Sequence, residues 1–386
     1  MRLTVVGNPA NRRVALFTSA VRAAGLPTPA VLPWADVLTG AVPPPPGALV
    51  RVDSPGEDPH VDRLLRRSAT AARHGELIGL ADAYAGLVAG LDRVAAGGAE
   101  LLNPPADVAV LCDKRRCHAV LSAAGVPVPD ALPPVGGHAG PPPTGGHDAL
   151  PPAGGHAGPP PTGGYAALRE AMAAAGWRRV FVKPAHGSSA AGVLALAVGP
   201  RGVRADTTVE PTPDGLFNSL RVRRHTDEAT IAAIVDRLTP DGLHVERWLP
   251  KAGLRDRVVD VRVLVVAGRP THAVVRAARG PLTNLHLGNA RGDLAELRAA
   301  AGPAGWSAAM ETCERVAACF AGSLHVGVDL MFLTGWRRHA VAEVNAFGDL
   351  LPGVLTDGRD SYAEQVHALT TGRWRRWRAE VAACAA

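Results

Sequence analysis

A tandem duplication limits what this chain can fold into. Residues 129–146 read PDALPPVGGHAGPPPTGG and residues 147–164 read HDALPPAGGHAGPPPTGG, two units of 18 that differ at two positions. A period this short, this rich in Gly and Pro, buries no core face, so 129–164 reads as a flexible surface insertion outside the fold. Its His138, His147 and His156 match no ordered metal spacing. The folded pattern must therefore lie on either side of it.

Before the duplication, short apolar runs at 3–7, 30–33 and 48–52 read as strands and 13–24, 60–73 and 80–95 as helices. Strands alternating with helices predict an α/β unit with a parallel sheet over residues 1–105. An apolar stripe through Val108, Leu111, Cys112, Ala119 and Val120 predicts one helix over 106–124, closed by Gly125. After Tyr165 come a helix at 166–175, strands at 179–183, 193–198 and 219–223, a helix at 228–238 and a strand or hinge at 245–249. A hairpin at 260–266 and 271–276, a helix at 308–321 and strands at 325–332 and 340–345 complete the pattern.

Hydrophobic residues make up 47% of the chain and aromatics 4%, so the expected core is Ala, Val and Leu. No apolar run reaches the ~18–20 residues of a membrane span. The apolar start is cut short by Gly7-Asn8-Pro9 and Arg12-Arg13, unlike a signal peptide. Five cysteines without a C-x-x-C pair speak against a disulfide framework or structural zinc. The expectation is a cytoplasmic protein with no membrane partner, compatible with an oligomer. The +6 charge is scattered, which disfavours nucleic acid as a partner. Arg373-Trp374-Arg375-Arg376-Trp377-Arg378 places two Trp on one helical face, as in a terminal helix docked on the body. Of 41 basic residues only Lys114, Lys183 and Lys251 are lysine. A compact ammonium fits where a planar guanidinium does not, one physical reason to keep Lys.

P-loop, dinucleotide-fold, α/β-hydrolase and zincin motifs are absent from the sequence. The strongest local pattern is Asp329 in Val326–Phe332 followed by Glu343-Val344-Asn345. Glu343 and Asn345 are two apart on a strand and share a face. If the two strands pair, two carboxylates and an amide oxygen converge, a hard donor set suited to Mg²⁺. The second pattern is a strand ending in Lys183 before the small-residue loop 184–192. Such a loop lets backbone N–H groups close over phosphate oxygens while the lysine neutralises them.

Taken in order, Lys114, Lys183 with its loop, Glu246, Asp260-Val261-Arg262, Asn284, Asp329 and Glu343-Val344-Asn345 resemble the ATP-grasp superfamily. Within it they are most similar to the branch of ribosomal-protein S6 glutamate ligase (RimK-type). The resemblance implies an α/β (α+β) ATP-grasp fold over 106–375, interrupted by the 129–164 insertion. The N-terminal α/β unit at 1–105 is then the preceding, pre-ATP-grasp domain, and 376–386 is a tail. It further implies that Lys114 and Lys183 hold ATP phosphates and that Gly187, Ser188 and Ser189 form the lid. Glu246 faces the adenosine near Trp248, and Asp260 and Arg262 form the aspartate-x-arginine strand. Asn284 lies in the substrate loop. Asp329, Glu343 and Asn345 hold Mg²⁺, two ions bridged by Glu343, with Mn²⁺ as a substitute.

This sequence departs from the family where a basic residue often stands two before the asparagine. Leu282 is there instead, so Arg276 or Arg279 has to take over the charge. Lys251 matches no family position and reads as a surface residue, and 218–224 has no counterpart. The implied function is an ATP- and Mg²⁺-dependent ligase joining a small-molecule or peptide carboxylate to an amine through an acyl phosphate. The alternatives are a kinase-like phosphotransferase and a nucleotide-binding protein without turnover. A first prediction concerns the duplication. Deleting 147–164 should leave the melting temperature within about 2 °C, under roughly 1 kcal/mol for a body this size. A larger loss would show that the repeat packs on the body.

Overall fold

The computed structural model describes residues 1–134, 164–188, 190–347 and 351–385. Most of the duplication, its three histidines and Ser189 thus lie outside the described residues. The N-terminal unit comprises β1 (Leu3–Gly7), α1 (Arg12–Ala23), β2 (Ala30–Pro33), α2 (Trp34–Thr39), β3 (Leu49–Val52), α3 (Pro59–Arg66), α4 (Leu80–Ala95) and β4 (Glu100–Leu101). Its four strands are parallel in the order β2-β1-β3-β4. β1 is buried along its whole length, as a strand covered on both faces must be. Gly7 lets α1 close onto it, since a Cβ there would stand 2.7 Å from Val14 Cγ2.

The predicted helix over 106–124 is in fact two, α5 (Pro105–Leu111) and α6 (Lys114–Ala123). Asp113 breaks the run by capping α6, its carboxylate accepting from the backbone of Arg115 and Arg116. The cap leaves Lys114 at the first turn of α6, with its N–H bonded to Ala185 O at 2.9 Å. The start of the duplication is not outside the fold. Arg247 N donates to Asp130 O at 2.8 Å, Leu132 N donates to Val245 O at 2.9 Å, and Leu132 is buried in a core.

The central lobe contains α7 (Gly164–Ala174), β5 (Arg179–Pro184), β6 (Leu194–Gly199), β7 (Gly202–Thr212), β8 (Gly215–His225), α8 (Glu228–Leu238) and β9 (Leu243–Arg247). Its antiparallel sheet runs β8-β7-β6-β5-β9, with Leu168, Ile231 and Ile234 of the helices on one face. β7 was not expected from the sequence, and 218–224 is part of its hairpin partner β8.

The third sheet is built from β10 (Gly253–Leu254), β11 (Arg257–Val266), β12 (Arg269–Ala278), β13 (Ala290–Arg291), β14 (His325–Phe332) and β15 (His339–Asn345). Its main path is β13-β12-β11-β14-β15, all antiparallel, with β10 on β11. α9 (Leu294–Ala318) covers one face and starts well before the predicted 308. It bends at Gly302-Pro303, where Gly302 leaves helical geometry and Pro303 has no N–H to donate.

The two-residue period of the strands sorts this sheet's faces. Val259, Val261, Val263, Val328 and Leu330 share a core with Leu297, Cys313 and Val316 of α9. On the opposite face Asp260 and Arg262 give way to Leu264 and Val266, which pack with Leu3 and Phe17 of the N-terminal unit. α10 (Ser361–Thr370) and α11 (Arg373–Ala385) close that core through Tyr362 and Trp374, so the terminal helix does dock by its Trp. α11 runs across the 375/376 boundary drawn from the sequence.

The N-terminal unit also straps onto the central lobe. Leu77 N donates to Leu216 O at 2.9 Å, Asn218 N donates to Gly75 O at 2.7 Å, and Leu77 enters the central core. α4 has no capping side chain of its own. Asp241 of the central lobe supplies one, accepting from Gly79 N at 2.8 Å and Ala81 N at 3.1 Å. Asp241→Ala should therefore lower the unfolding free energy by about 1–2 kcal/mol in urea titrations, the usual range for a lost cap. An unchanged midpoint would show that the cap carries no stability.

Candidate active site

The polar half of the third sheet faces the central lobe across a cleft. Arg262 and Asp329 are register partners on β11 and β14, as are Asp260 and Arg276 on β11 and β12, and Asp329 and Glu343 on β14 and β15. Cross-strand pairing therefore interleaves acids and bases along one face. Arg276 donates from Nε to Asp260 at 2.7 Å and from Nη1 to Asp329 at 3.2 Å. Arg262 grips Asp329 through two donors, Nη2 at 2.8 Å and Nε. Asn345 donates its amide N–H to Gly327 O at 3.4 Å, which leaves its oxygen as the atom to offer a ligand.

The central lobe brings the opposite wall. Lys183, near the end of β5, pairs with Glu246 of β9 at 2.5 Å and donates to Ala342 O of the third sheet at 3.2 Å. Lys114 Nζ lies 3.4 Å from Glu343 and donates to Gly187 O at 2.6 Å, holding the start of the small-residue loop. His186 in that loop stacks on Tyr84 of α4 with ring centroids 4.0 Å apart. Ser188, Glu246 and Asn284 line the same cleft.

Two expected residues stand apart from it. Arg279 is 78% exposed and pairs with Asp256 at 3.4 Å on the surface, so it does not take over the missing charge. Trp248 packs on Phe181, ring centroids 5.2 Å apart, while its neighbours Arg247 and Leu249 line the cleft. One residue corrects the sequence reading outright. Lys251 is no surface residue, because its side chain is 11% exposed. Its Nζ donates to Asp260 Oδ2 at 2.7 Å and to Thr283 Oγ1 at 2.8 Å. Thr283 in turn donates to Asp260. Its rarity in an arginine-rich chain was the sequence's only hint of this.

Burial pushes these carboxyls up in pKa, but their cationic neighbours outweigh it. Asp260 is held well below the carboxylate range by Arg276 and Lys251, and Asp329 is lowered by Arg262 and Arg276. Desolvation opposes the charge of Arg276, yet Asp260 and Asp329 raise it above its ordinary value. Glu246 falls to about 2 because Lys183 and His244 overcome its burial.

Among the described residues no three His, Cys, Asp or Glu side chains gather as a ready metal site. Asp329, Glu343 and Asn345 nevertheless fit Mg²⁺, which takes one or two carboxylates and completes its shell with water and phosphate oxygens. Both carboxylates line the cleft, and Asp329, now held by Arg262 and Arg276, would have to turn an oxygen from an arginine to the cation.

The Glu246–Lys183 pair has a pH signature. A carboxyl lowered from about 4.5 to about 2 stabilises the fold fully above pH 4.5 and loses that contribution as pH falls toward 2. Unfolding curves should show this acid-side fall in the wild type and a shallower one in Glu246→Gln. Equal slopes would dissociate the pair from stability.

No protein-family model matches the chain. No curated protein matches it in sequence. Solved structures do match over almost its full length. D-cycloserine synthetase DcsG is 16% identical, with 97% of this chain and 100% of that one covered at a TM-score of 0.56. The ATP-grasp ligase PsnB, solved with a minimal precursor, Mg and ADP, is 17% identical over 96% and 97% at 0.51. Macrocyclase MdnC from Microcystis aeruginosa MRC, solved with precursor peptide MdnA, is 11% identical over 96% and 100% at 0.50. No described helix is long and apolar enough to cross a membrane. The architecture of the three sheets and these full-length likenesses lead to one conclusion: this chain has the ATP-grasp fold.

Proposed function

We propose that the chain is an ATP- and Mg²⁺-dependent ligase that joins a carboxylate to an amine and releases ADP and phosphate. The observation that carries this reading is the composition of one cleft. Lys114 and Lys183 stand on one wall, with Asp329 and Glu343 facing them from another sheet. Cations for phosphate and hard oxygen donors for Mg²⁺ are what phosphoryl transfer needs, since its catalysis is positioning and charge neutralisation.

Lys114 and Lys183 bind the phosphates, and Glu246 at the end of β9 faces the adenosine side. The loop at Gly187-Ser188, tied to Lys114 and to Tyr84 through His186, closes over them and keeps water out. Asp329, Glu343 and Asn345 would hold Mg²⁺, which would supply charge neutralisation for the phosphates. A carboxylate oxygen of the substrate attacks the γ-phosphorus, and the bond to the ADP oxygen breaks. Arg262 and Arg276 neutralise the charge on the transferring group. The amine then attacks the acyl carbon, phosphate departs with the bonding pair, and the amine loses a proton. The neighbours' names include a synthetase of a small molecule and two proteins solved with precursor peptides, which supports a small-molecule or peptide carboxylate.

The test is a panel of amino acids, diacids and peptides with ATP, Mg²⁺ and hydroxylamine. The matching carboxylate should yield a hydroxamate with ADP, and Glu343→Gln should lower that yield at least about 100-fold while keeping the fold. AMP and pyrophosphate as products would refute the mechanism. ADP made with a carboxyl-free acceptor would identify a kinase.

A further inference from the structure

All three lysines of this chain meet in one cleft, and one of them has no part in the reading above. Lys251 lies in the connection between β9 and β10, is almost buried, and is held between Asp260 and Thr283. An ordinary salt bridge does not explain why it is lysine. Elsewhere in the described residues the carboxylates pair with arginine, as in Arg66–Asp62, Arg224–Asp206 and Arg359–Glu364. Lysine is kept only at Glu343, Glu246 and Asp260, the three carboxylates with a lysine partner, and all three line the cleft. A guanidinium presents a fixed planar fork, whereas an ammonium is a compact charge that can swing between partners on a flexible stem.

How each cation is held gives the second argument. Lys114 and Lys183 face Glu343 and Glu246. At the other end of the cleft Lys251, Arg262 and Arg276 gather around Asp260 and Asp329. Both arginines there are locked by in-plane hydrogen bonds to these acids. Lys251 has a neutral partner, the Thr283 hydroxyl, which a stronger acceptor can replace. A positive charge on a side chain able to move thus lies beside the 279–291 loop, whose own Arg279 points to the surface. Through Asp260 and Arg276 it is also one link from Asp329, a proposed metal ligand.

We propose that Lys251 is a third phosphate contact, exchanging Thr283 for the γ-phosphoryl group of the nucleotide and following that group toward the acceptor. The proposal rests on the nucleotide reading of the cleft. It supplies the charge that Leu282 lacks, from the strand connection and not from the loop. A cation that meets only the γ-phosphoryl group should discriminate triphosphate from diphosphate, whereas one that supports the hinge or the ribose should not.

The experiment is calorimetric titration of the full chain with Mg·ADP and with Mg·AMPPNP, a non-hydrolysable triphosphate. In Lys251→Met, AMPPNP affinity should fall about tenfold or more, the equivalent of one charge-assisted hydrogen bond. ADP affinity should stay within about twofold. Lys251→Arg, which keeps the charge, should recover part of the preference. It also serves as the measured variant if the methionine protein fails to fold. Equal losses for both nucleotides, or no loss for either, would overturn the assignment of Lys251 while leaving the nucleotide site standing. A wild type that binds neither nucleotide would refute the reading of the cleft itself.

Discussion

Lys114, Lys183, Lys251, Arg262 and Arg276 stand against Glu246, Asp260, Asp329 and Glu343 around one cleft. Each would cost several kcal/mol if buried alone, so none can be placed without a partner. This requirement fixes the strand register. Arg262 opposite Asp329, Arg276 opposite Asp260 and Glu343 opposite Asp329 are cross-strand neighbours, so a slip of one residue would turn every one of them into the core of α9. It also fixes how the central lobe meets the third sheet, because Lys183 and Lys114 find Ala342 and Glu343 only across the cleft.

The same pairing accounts for how a nucleotide would be received. On the proposed reading, phosphates attract the lysines while Mg²⁺ attracts Glu343, the carboxylate that Lys114 faces. At that pair the exchange gives each charge a new partner as the old one is lost. The arginines behave differently. Held by two acids each or by two donors to one, they are fixed points of positive charge, suited to a transferring group whose position is set by the other ligands.

Much of this was legible in the sequence because it is periodic or local. The helix Glu228–Leu238, the helix Leu80–Ala95 and the strand His325–Phe332 have the bounds their apolar patterns predict. Asp329, Glu343 and Asn345 were placed together by the strand period and a single turn. The failures share a physical cause. A cap at Asp113 outweighed a continuous apolar stripe, and Gly302-Pro303 hid the first half of α9. Polar β7, with Thr207 and Thr208 fully buried, carries little hydrophobic alternation to announce it. Lys251 meets Asp260 and Thr283, nine and 32 residues away, and no local pattern encodes contacts made by sheet register. Leu132 likewise belongs to a Gly- and Pro-rich repeat yet packs in the central core, because β9 offers it a backbone edge.

A chain with three lysines offers an unusually clean measurement of whether they share one nucleotide site. Amine acylation at Lys114, Lys183 and Lys251 can be followed residue by residue by mass spectrometry, with and without saturating Mg·AMPPNP. The account predicts that the nucleotide slows labelling of all three lysines together, with the same concentration dependence. The amino terminus should be unaffected. Labelling of Lys114 and Lys183 at rates unchanged by nucleotide would contradict the central claim that this cleft receives it.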